Sequence, residues 1–297
     1  MDYFLALTVT GLVMGIIYAL MALGLTLIFS ILKIVNFAHG EFYMLGGYFT
    51  YYLVNHFTGL HPLIAVPIAG LGVALIGLFF ELGFIRPIHL DKIERPGEYA
   101  ILVTIGLSFF LMNIGLAIFG PYPHRPPSFF DAPVKLGFIS ISADRLTAGV
   151  LSVLLLLTLL ILINKTWLGK ALRAVSQDKQ AAAIIGINHL RMNTLGFALG
   201  TGLAGLAGAL LAPSFGVTPD VGAQPSIRSY VIIVLGGMGS IPGSIIGGII
   251  IGLVESLGAG YFPDPSRGLN YKTAFGLIIF ALVLLLRPRG LFGRKEL

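Results

Sequence analysis

The sequence predicts an all-α polytopic membrane protein with about eight to nine transmembrane helices, some of them discontinuous or re-entrant. Two features of composition lead to this prediction. Hydrophobic residues make up 56% of the 297 and charged residues only 11%, whereas soluble domains carry about 25% charged residues. The 39 glycines lie mostly inside apolar runs, where they allow helices to pack closely in lipid. We expect residues 1–297 to form a single transmembrane domain.

Charge distribution and amino-acid content exclude several other classes of protein. The net charge is +6, but the basic residues are scattered singly between apolar runs and do not line one face, as nucleic-acid binding would require. The absence of cysteine excludes thiol catalysis, disulfides and cysteine-ligated metals. The amino terminus, Met1-Asp2-Tyr3-Phe4, lacks the basic region of a cleavable signal peptide. We therefore expect the first apolar segment to be retained.

The apolar runs define the candidate membrane segments. No charged residue occurs from Tyr3 to Leu32, and about 30 helical residues at 1.5 Å each exceed a hydrocarbon core of about 30 Å. This first helix should therefore tilt, kink or project from the membrane. Further apolar segments follow at 42–58, 62–85, 99–119, 146–164, 192–211 and 271–286.

The region 226–260 is apolar but interrupted in its middle by glycines and a proline. We expect two short arms joined by a turn, which brings the total to about nine crossings. The two arms either cross fully or are re-entrant. The turn lacks the Gly-Lys-Ser/Thr ending of a phosphate-binding loop, so the chain shows no ATP site and its energy must come from a partner or an ion gradient. The candidate gating-turn residues are Gly237, Gly239, Pro242 and Gly243.

The positions of lysine and arginine predict the orientation, because cytoplasmic loops carry an excess of both. The segment 165–191 and the tail after 286 are the richest in basic residues and should be cytoplasmic. Counting crossings from there places the amino terminus outside and the carboxyl terminus in the cytoplasm. The proline-rich loop 121–145 then lies outside, and its stretch Val134 to Ser142 could form a hairpin around Gly137.

Small residues recur every four positions on two of the predicted helices and form smooth stripes. One stripe comprises Gly11, Gly15 and Ala19, and the other comprises Gly196, Gly200, Ala204, Gly208 and Ala212. Such stripes let helix backbones approach closely in lipid. Packing within the chain and contact with a second subunit are both compatible with this pattern.

The cytoplasmic segment 170–188 has the pattern of a short amphipathic helix that ends at Gly186. One face carries Ala171, Leu172, Val175, Ala182 and Ile185, and the other carries Arg173, Gln177 and Gln180. Such a helix can lie on the lipid surface or dock into a groove on a soluble partner.

Polar residues within the apolar segments are candidates for the substrate pathway. Asn36, His39 and Glu41 form a dense cluster beside Gly40, where broken helix ends facing a cavity could position a zwitterion. The alternative is that they cap a helix and satisfy neighbouring backbone groups. The remaining candidates are Thr104, Ser108 and Glu255. The hydroxyl groups could equally bond to their own helix, and an intramembrane carboxylate should face protein, water or an interface.

Four blocks of sequence resemble the LivH-type permeases of branched-chain amino acid ABC importers. They are Gly11-x-x-x-Gly15-x-x-Tyr18-Ala19-Leu20, Asn36 to Glu41, the segment 170–188, and Gly236 to Gly243. Within the third block, Gln180-Ala181-Ala182-x-x-x-Gly186 is similar to the Glu-Ala-Ala-x-x-x-Gly loop that ATPase subunits grip, with glutamine in place of glutamate. The resemblance covers nearly the whole chain and implies the ABC importer permease fold.

The resemblance also implies partners and roles. The chain would pair with a homologous LivM-type permease in the inner (plasma) membrane, with two cytoplasmic ATPases that use ATP and Mg, and with an extracytoplasmic substrate-binding protein. The chain itself would bind no cofactor or metal and would not be an enzyme. The segment 165–191 would couple it to the ATPases through Arg173, Asp178, Lys179, Gln180, Ala181, Ala182, Gly186 and Ile187.

Several functions remain open at this point. The family resemblance favours translocation of branched-chain or other apolar amino acids, and relatives in the same family carry urea or short amides. A self-sufficient secondary transporter could use Glu81 or Glu255 for ion coupling. An intramembrane enzyme could use His39 and Glu41, although neither a third metal ligand nor a serine–histidine pair accompanies them.

Overall fold

A computed structural model describes residues 2–57, 60–90, 92–130, 132–136 and 139–293. The helices are α1 (Asp2–Leu32), α2 (His39–Tyr52), α3 (Pro62–Phe80), α4 (Pro96–Phe119), α5 (Ala143–Lys165), α6 (Trp167–Gln177), α7 (Lys179–Ile184), α8 (His189–Phe215), α9 (Ala223–Gly236), α10 (Ile241–Gly260), α11 (Pro265–Asn270) and α12 (Lys272–Leu286). Helix α2 continues as a π-helical turn, Leu53–Phe57, and α3 continues through Glu81–Ile85 and Arg86–Leu90.

The prediction of an all-α polytopic membrane protein is confirmed. In the described part of the chain, six helices are long and apolar enough to cross a membrane: α1, α3 with its extension, α4, α5, α8 and α10. Three shorter helices, α2, α9 and α12, complete the set of predicted segments. The interrupted region 226–260 forms two arms, α9 and α10, as predicted.

Helices α1 and α8 form the centre of the bundle. Every residue from Ile17 to Ile28 is buried, because this part of α1 is apolar all round, as a fully enclosed helix must be. The small-residue stripes pack within the chain: Gly11 and Gly15 lie against Gly252 and Gly248 of α10. Glycines at these positions allow backbone-to-backbone contact, which provides dispersion energy where lipid gives no hydrophobic drive.

Two of the short helices begin inside the bundle rather than at its surface. Residues 33–38 return from the end of α1 towards its middle, where His39 Nε2 lies 3.0 Å from the carbonyl oxygen of Met21. On the other side, residues 216–222 lead from the end of α8 to α9. The starts of α2 and α9 then meet, because a Cβ on Gly40 would overlap the carbonyl oxygen of Gly222. Discontinuous helices of this kind are tolerated where protein buries them.

The turn between α9 and α10 is compact and held by the carboxyl-terminal tail. Gly237 and Gly239 adopt φ angles of 99° and 83°, which only glycine accommodates without strain. The backbone N–H groups of Leu291 and Phe292 donate to the carbonyl groups of Leu235 and Gly236. The turn and the tail therefore lie at the same end of the bundle. The basic residues Arg294 and Lys295, which contributed to the predicted orientation, lie outside the described residues.

The predicted single helix over 170–186 is wrong in one respect: the structure has two helices, α6 and α7. Asp178 between them has extended backbone, with φ of −151° and ψ of 113°, and its side chain caps α7. Ala171, Leu172, Val175 and Ala182 are buried as expected. Ile185 was expected on the same apolar face, but 71% of it is exposed, because it is the C-cap residue just beyond the end of α7, where helical spacing no longer applies.

A small antiparallel hairpin lies in the long loop between α4 and α5. Strand β1 (Val134–Leu136) pairs with β2 (Ile139–Ile141), so the predicted hairpin is confirmed. Its tip, including Gly137, lies outside the described residues. The loop is joined to the bundle where His124 and Val217 exchange two backbone hydrogen bonds.

Candidate functional site

An open cavity of about 770 Å³ lies among α1, α8, α9, α10 and the start of α12. Its mouth is formed by residues at helix ends that the sequence predicts on the extracytoplasmic side, including Tyr3, Arg145 and Phe215. Its floor reaches Met21 and Tyr43, close to the start of α2. The volume falls within the range of about 300–1,000 Å³ typical of small-molecule sites.

A buried carboxylate organises one wall of this cavity. Glu255 is 1% exposed, and its Oε1 accepts a hydrogen bond from Arg228 Nε at 3.0 Å. Its Oε2 lies 3.7 Å from Lys272 Nζ and accepts a hydrogen bond from the Tyr18 hydroxyl at 3.2 Å. Arg228 also donates to the Thr273 hydroxyl at 3.1 Å. One carboxylate therefore holds two cations, and both cations line the cavity.

Further polar groups reach the same space. Arg145 lies with its guanidinium carbon 5.3 Å from the centre of the Phe215 ring, and Asp220 and Gln224 line the cavity near the start of α9. The guanidinium of Arg228 also stacks on Tyr18, 5.2 Å from the ring centre. Such contacts between cations and aromatic rings help to fix long basic side chains.

Asn36 and His39 lie at the junction of the two broken helices. Asn36 Oδ1 accepts a hydrogen bond from the Ala38 N–H at 3.1 Å, and its carbonyl oxygen accepts one from Tyr230 at 2.7 Å. Asn36 Nδ2 and His39 Nδ1 are buried and have no hydrogen-bond partner among the described residues. These side chains thus do bond to nearby backbone groups, as the alternative interpretation expected. One polar atom on each of them has no partner among the described residues.

Glu41, Thr104 and Ser108 lie together on another side of the bundle, between α2 and α4. The Ser108 hydroxyl hydrogen-bonds to the Glu41 carboxylate, and Thr104 donates to the Ala100 carbonyl of its own helix at 2.8 Å. None of the six substrate-pathway candidates lines the 770 Å³ cavity. Glu255 forms ion pairs with Arg228 and Lys272, and these two residues do line the cavity.

Glu81, the carboxylate considered for ion coupling, is fully buried. Its Oε2 accepts a hydrogen bond from the Thr194 hydroxyl at 2.5 Å. It is therefore held between α8 and the π-helical end of α3, far along the sequence from the cluster at Glu255.

The candidate gating-turn residues shape the connection between α9 and α10. Gly237 and Gly239 have positive φ angles, and Pro242 occupies the first turn of α10. Ser240 caps this helix, because its hydroxyl oxygen accepts a hydrogen bond from Gly243 N–H at 3.2 Å. Gly243 packs directly on Gly236. The cap and the close backbone contact both stabilise this turn.

The candidate coupling residues form a tightly capped unit at the end of the bundle. Asp178 Oδ1 accepts hydrogen bonds from Gln180 N–H at 2.8 Å and Ala181 N–H at 3.0 Å. Gly186, with φ of 84°, ends α7 in a Schellman motif, in which Ile187 N–H donates to the Ala182 carbonyl. Ala182 is buried, whereas Arg173, Gln180 and Ala181 are exposed.

This unit presents two large apolar side chains that the sequence pattern did not single out as exposed. Ile184 is 86% exposed and Ile185 is 71% exposed. A groove of about 470 Å³ beside them is lined by Lys33, Lys179, Gln180 and His189. Exposed apolar side chains on a capped helix end are suited to contact with the lipid surface or with a protein partner.

Sequence reasoning missed most of the polar lining of the cavity. These residues are Tyr18, Tyr43, Arg145, Asp220, Gln224, Arg228 and Lys272. One signal was available for Arg228, because it lies in a run that becomes strongly apolar at 230–235, where an ionisable residue is a functional candidate by default.

A bundle with several membrane-spanning helices, two broken helices that meet inside it and an open charged cavity defines a membrane permease. The comparisons identify its family. The chain belongs to the family of permease components of branched-chain amino acid transport systems, whose family model matches residues 7–286. This is a transport family and not an enzyme family.

Individual relatives agree over nearly the full length. The high-affinity branched-chain amino acid permease LivH of Escherichia coli K12 is 33% identical and aligns over 99% of this chain and 97% of the relative. BraD of Pseudomonas aeruginosa PAO1 gives the same identity and coverage. LivM of Escherichia coli K12 is 29% identical over 93% of this chain and 67% of its own length. No solved structure gives a significant match.

Proposed function

We propose that this chain is the membrane-spanning subunit of an ABC importer that moves branched-chain amino acids across the inner membrane. The names of its full-length relatives support the substrate class. The α6–α7 unit supports coupling to a soluble partner. It is a rigid capped element with two exposed isoleucines, which is suited to docking on such a partner.

The partner proposed for this unit is a pair of cytoplasmic ATPases. The Gly-rich turn at 236–243 lacks the Walker ending, so ATP and Mg are used by those subunits and not by this chain. Closure of the ATPases would move α7, and α8 would carry the movement into the bundle because it follows only four residues after α7. Lys179 and Gln180, beside the groove at Lys33, stand where such a partner would make polar contacts.

The other proposed partners are a LivM-type permease and an extracytoplasmic binding protein. The relationship to LivM supports pairing of two homologous permeases, and a pathway between them would give the open side of the cavity a covering surface. In the orientation proposed from the basic residues, the cavity mouth lies outside, where a binding protein would deliver the substrate. The amino terminus is then outside and the carboxyl terminus cytoplasmic.

The test is transport by the assembled importer in liposomes. Wild-type complex with ATP inside and binding protein outside should accumulate radiolabelled leucine. Replacing both isoleucines, as Ile184→Ser with Ile185→Ser, should abolish uptake while the permease remains inserted, because the docking surface loses its apolar contacts. Gln177→Ser, an exposed change on α6, is the matched control.

Two outcomes would overturn the proposal. The first is uptake driven by an ion gradient through this polypeptide alone without ATP, which would indicate a secondary transporter. The second is full ATP-coupled uptake by the double isoleucine variant.

A further inference from the structure

We propose that the cavity above Glu255 is a binding site for a neutral amino acid as its zwitterion, with the substrate carboxylate bound by Arg228 and Lys272. This inference rests on the proposed function and assigns a binding step to the permease itself. Glu255 acts as a positioning residue that fixes both cations and does not touch the substrate.

The charges of the cluster at Glu255 do not balance. Arg228 and Lys272 share the single carboxylate of Glu255, so this buried group carries one excess positive charge. Arg145 and Asp220 line the same cavity and offset each other, so the excess of one positive charge remains. Uncompensated charge inside a membrane protein is costly, and an anion that enters the cavity would relieve this cost.

Both cations remain accessible to such an anion. The side chain of Lys272 is 27% exposed and that of Arg228 is 19% exposed, whereas Glu255 is 1% exposed. Both residues line the cavity. An incoming carboxylate would therefore meet cations that Glu255 already holds, Arg228 by a hydrogen bond and Lys272 by an ion pair, which reduces the entropy cost of binding.

The rest of the lining matches the other parts of a neutral amino acid. Asp220, near the start of α9, provides a negative group for the ammonium, and Gln224 provides an amide. Apolar walls formed by Met14, Ile17 and Leu211 suit an aliphatic side chain. A mostly apolar site with a few convergent polar groups is the usual form of a small-molecule pocket.

A second source of the same anionic chemistry is a lipid headgroup. A phosphate group could reach Arg228 and Lys272 if lipid entered the open side of the cavity, and the ammonium of a zwitterionic headgroup could meet Asp220. The combination of two cations and one acid in a single cavity favours a zwitterion over a purely anionic lipid. Saturable leucine binding in a bilayer of zwitterionic phosphatidylcholine would show that the site prefers the amino acid to such a headgroup.

The experiment measures binding of radiolabelled leucine to the assembled permease–ATPase complex without ATP and without binding protein, in nanodiscs of phosphatidylcholine. Leucine should bind saturably, and leucinamide, which lacks the carboxylate, should fail to displace it. Lys272→Gln should weaken binding by about tenfold or more, since a hydrogen bond to a charged group is lost. Lys272→Arg should restore binding. Arg267→Gln removes an exposed basic charge that does not line the cavity and should bind as wild type.

Several results would overturn the inference. These are absence of leucine binding to wild type, equal displacement by leucinamide, and unchanged affinity in Lys272→Gln. Loss of leucine binding when phosphatidylglycerol replaces phosphatidylcholine would show that the cations hold lipid headgroups instead. Membrane yield and size-exclusion profile of each variant identify misfolding, and in that case the leucinamide comparison on wild type decides.

Failure of this inference is distinguishable from failure of the proposed function. The same preparation, supplied with ATP and binding protein, reports uptake. Uptake without detectable binding would leave the importer assignment intact and remove the site from the permease. No ATP-dependent uptake of any branched-chain amino acid would contradict the proposed function itself.

Discussion

Gly40 and Gly222 meet backbone to backbone where the broken helices α2 and α9 begin. A Cβ on either residue would overlap the backbone of the other. This contact joins two segments that are far apart in the chain and places both helix starts beside the centre of α1. The floor of the cavity at Met21 and Tyr43 is built on the same junction.

We expect Gly40→Ala to destabilise the permease and to reduce uptake. The added methyl group has no space, and overpacking of a core typically costs about 1–3 kcal/mol. The measurement is the thermal midpoint of the purified complex together with leucine uptake. Gly106→Ala is the matched control, because nothing lies within 4 Å of a Cβ added there on α4. Equal thermal midpoints for the two variants would contradict the tight junction.

The cluster at Glu255 gives a second prediction. Glu255→Gln should destabilise the protein by about 3 kcal/mol, because it leaves the Arg228 and Lys272 cations without their buried counter-charge. Glu98→Gln serves as the control. Glu98 forms an ion pair with Arg95, and both side chains are well exposed. Its loss should lower the free energy of unfolding by under about 1 kcal/mol. Chemical denaturation of the reconstituted complex gives both values, and similar losses for the two variants would argue against a buried charge cluster.

The sequence predicted the helical membrane architecture because hydropathy directly reports which segments lipid can surround. It also placed the break between α9 and α10 correctly, since Gly237, Gly239 and Pro242 lie close together and jointly favour a turn. The junction between α2 and α9 was not predicted, because Gly222 and Gly40 carry no local signal of a contact between distant segments.

In the candidate site, too, contacts between distant segments could not be predicted from the sequence. Glu255 was singled out because a carboxylate in an apolar segment is conspicuous, but its partners could not be deduced from spacing. Arg228 and Lys272 lie on two other helices and converge only through packing of α9, α10 and α12. The break at Asp178 was missed for a related reason: an aspartate within a helical pattern can either interrupt a helix or face solvent, and only the backbone distinguishes the two.

Asp178 itself gives a third prediction, which separates capping from a charge contact with a partner. Asp178→Ala should impair ATP-coupled uptake, because loss of an N-cap costs about 1 kcal/mol and α7 begins there. Asp178→Asn keeps the capping oxygen and removes the charge, so it should transport nearly as wild type. If asparagine were as harmful as alanine in the uptake assay, the negative charge and not the cap would be required.

The last prediction concerns Gly186, whose positive φ ends α7 and directs the chain towards α8. Gly186→Val should uncouple ATP hydrolysis from uptake, since a left-handed backbone costs an ordinary residue about 1–2 kcal/mol and a branched side chain more. Gly186→Asn should be far milder, because asparagine tolerates this conformation. Nothing lies within 4 Å of a Cβ added at Gly186, so side-chain bulk within the chain is not the cause. The ratio of leucine transported to ATP hydrolysed is measured for both variants; an equal loss in both would point to a partner surface that excludes any side chain at 186.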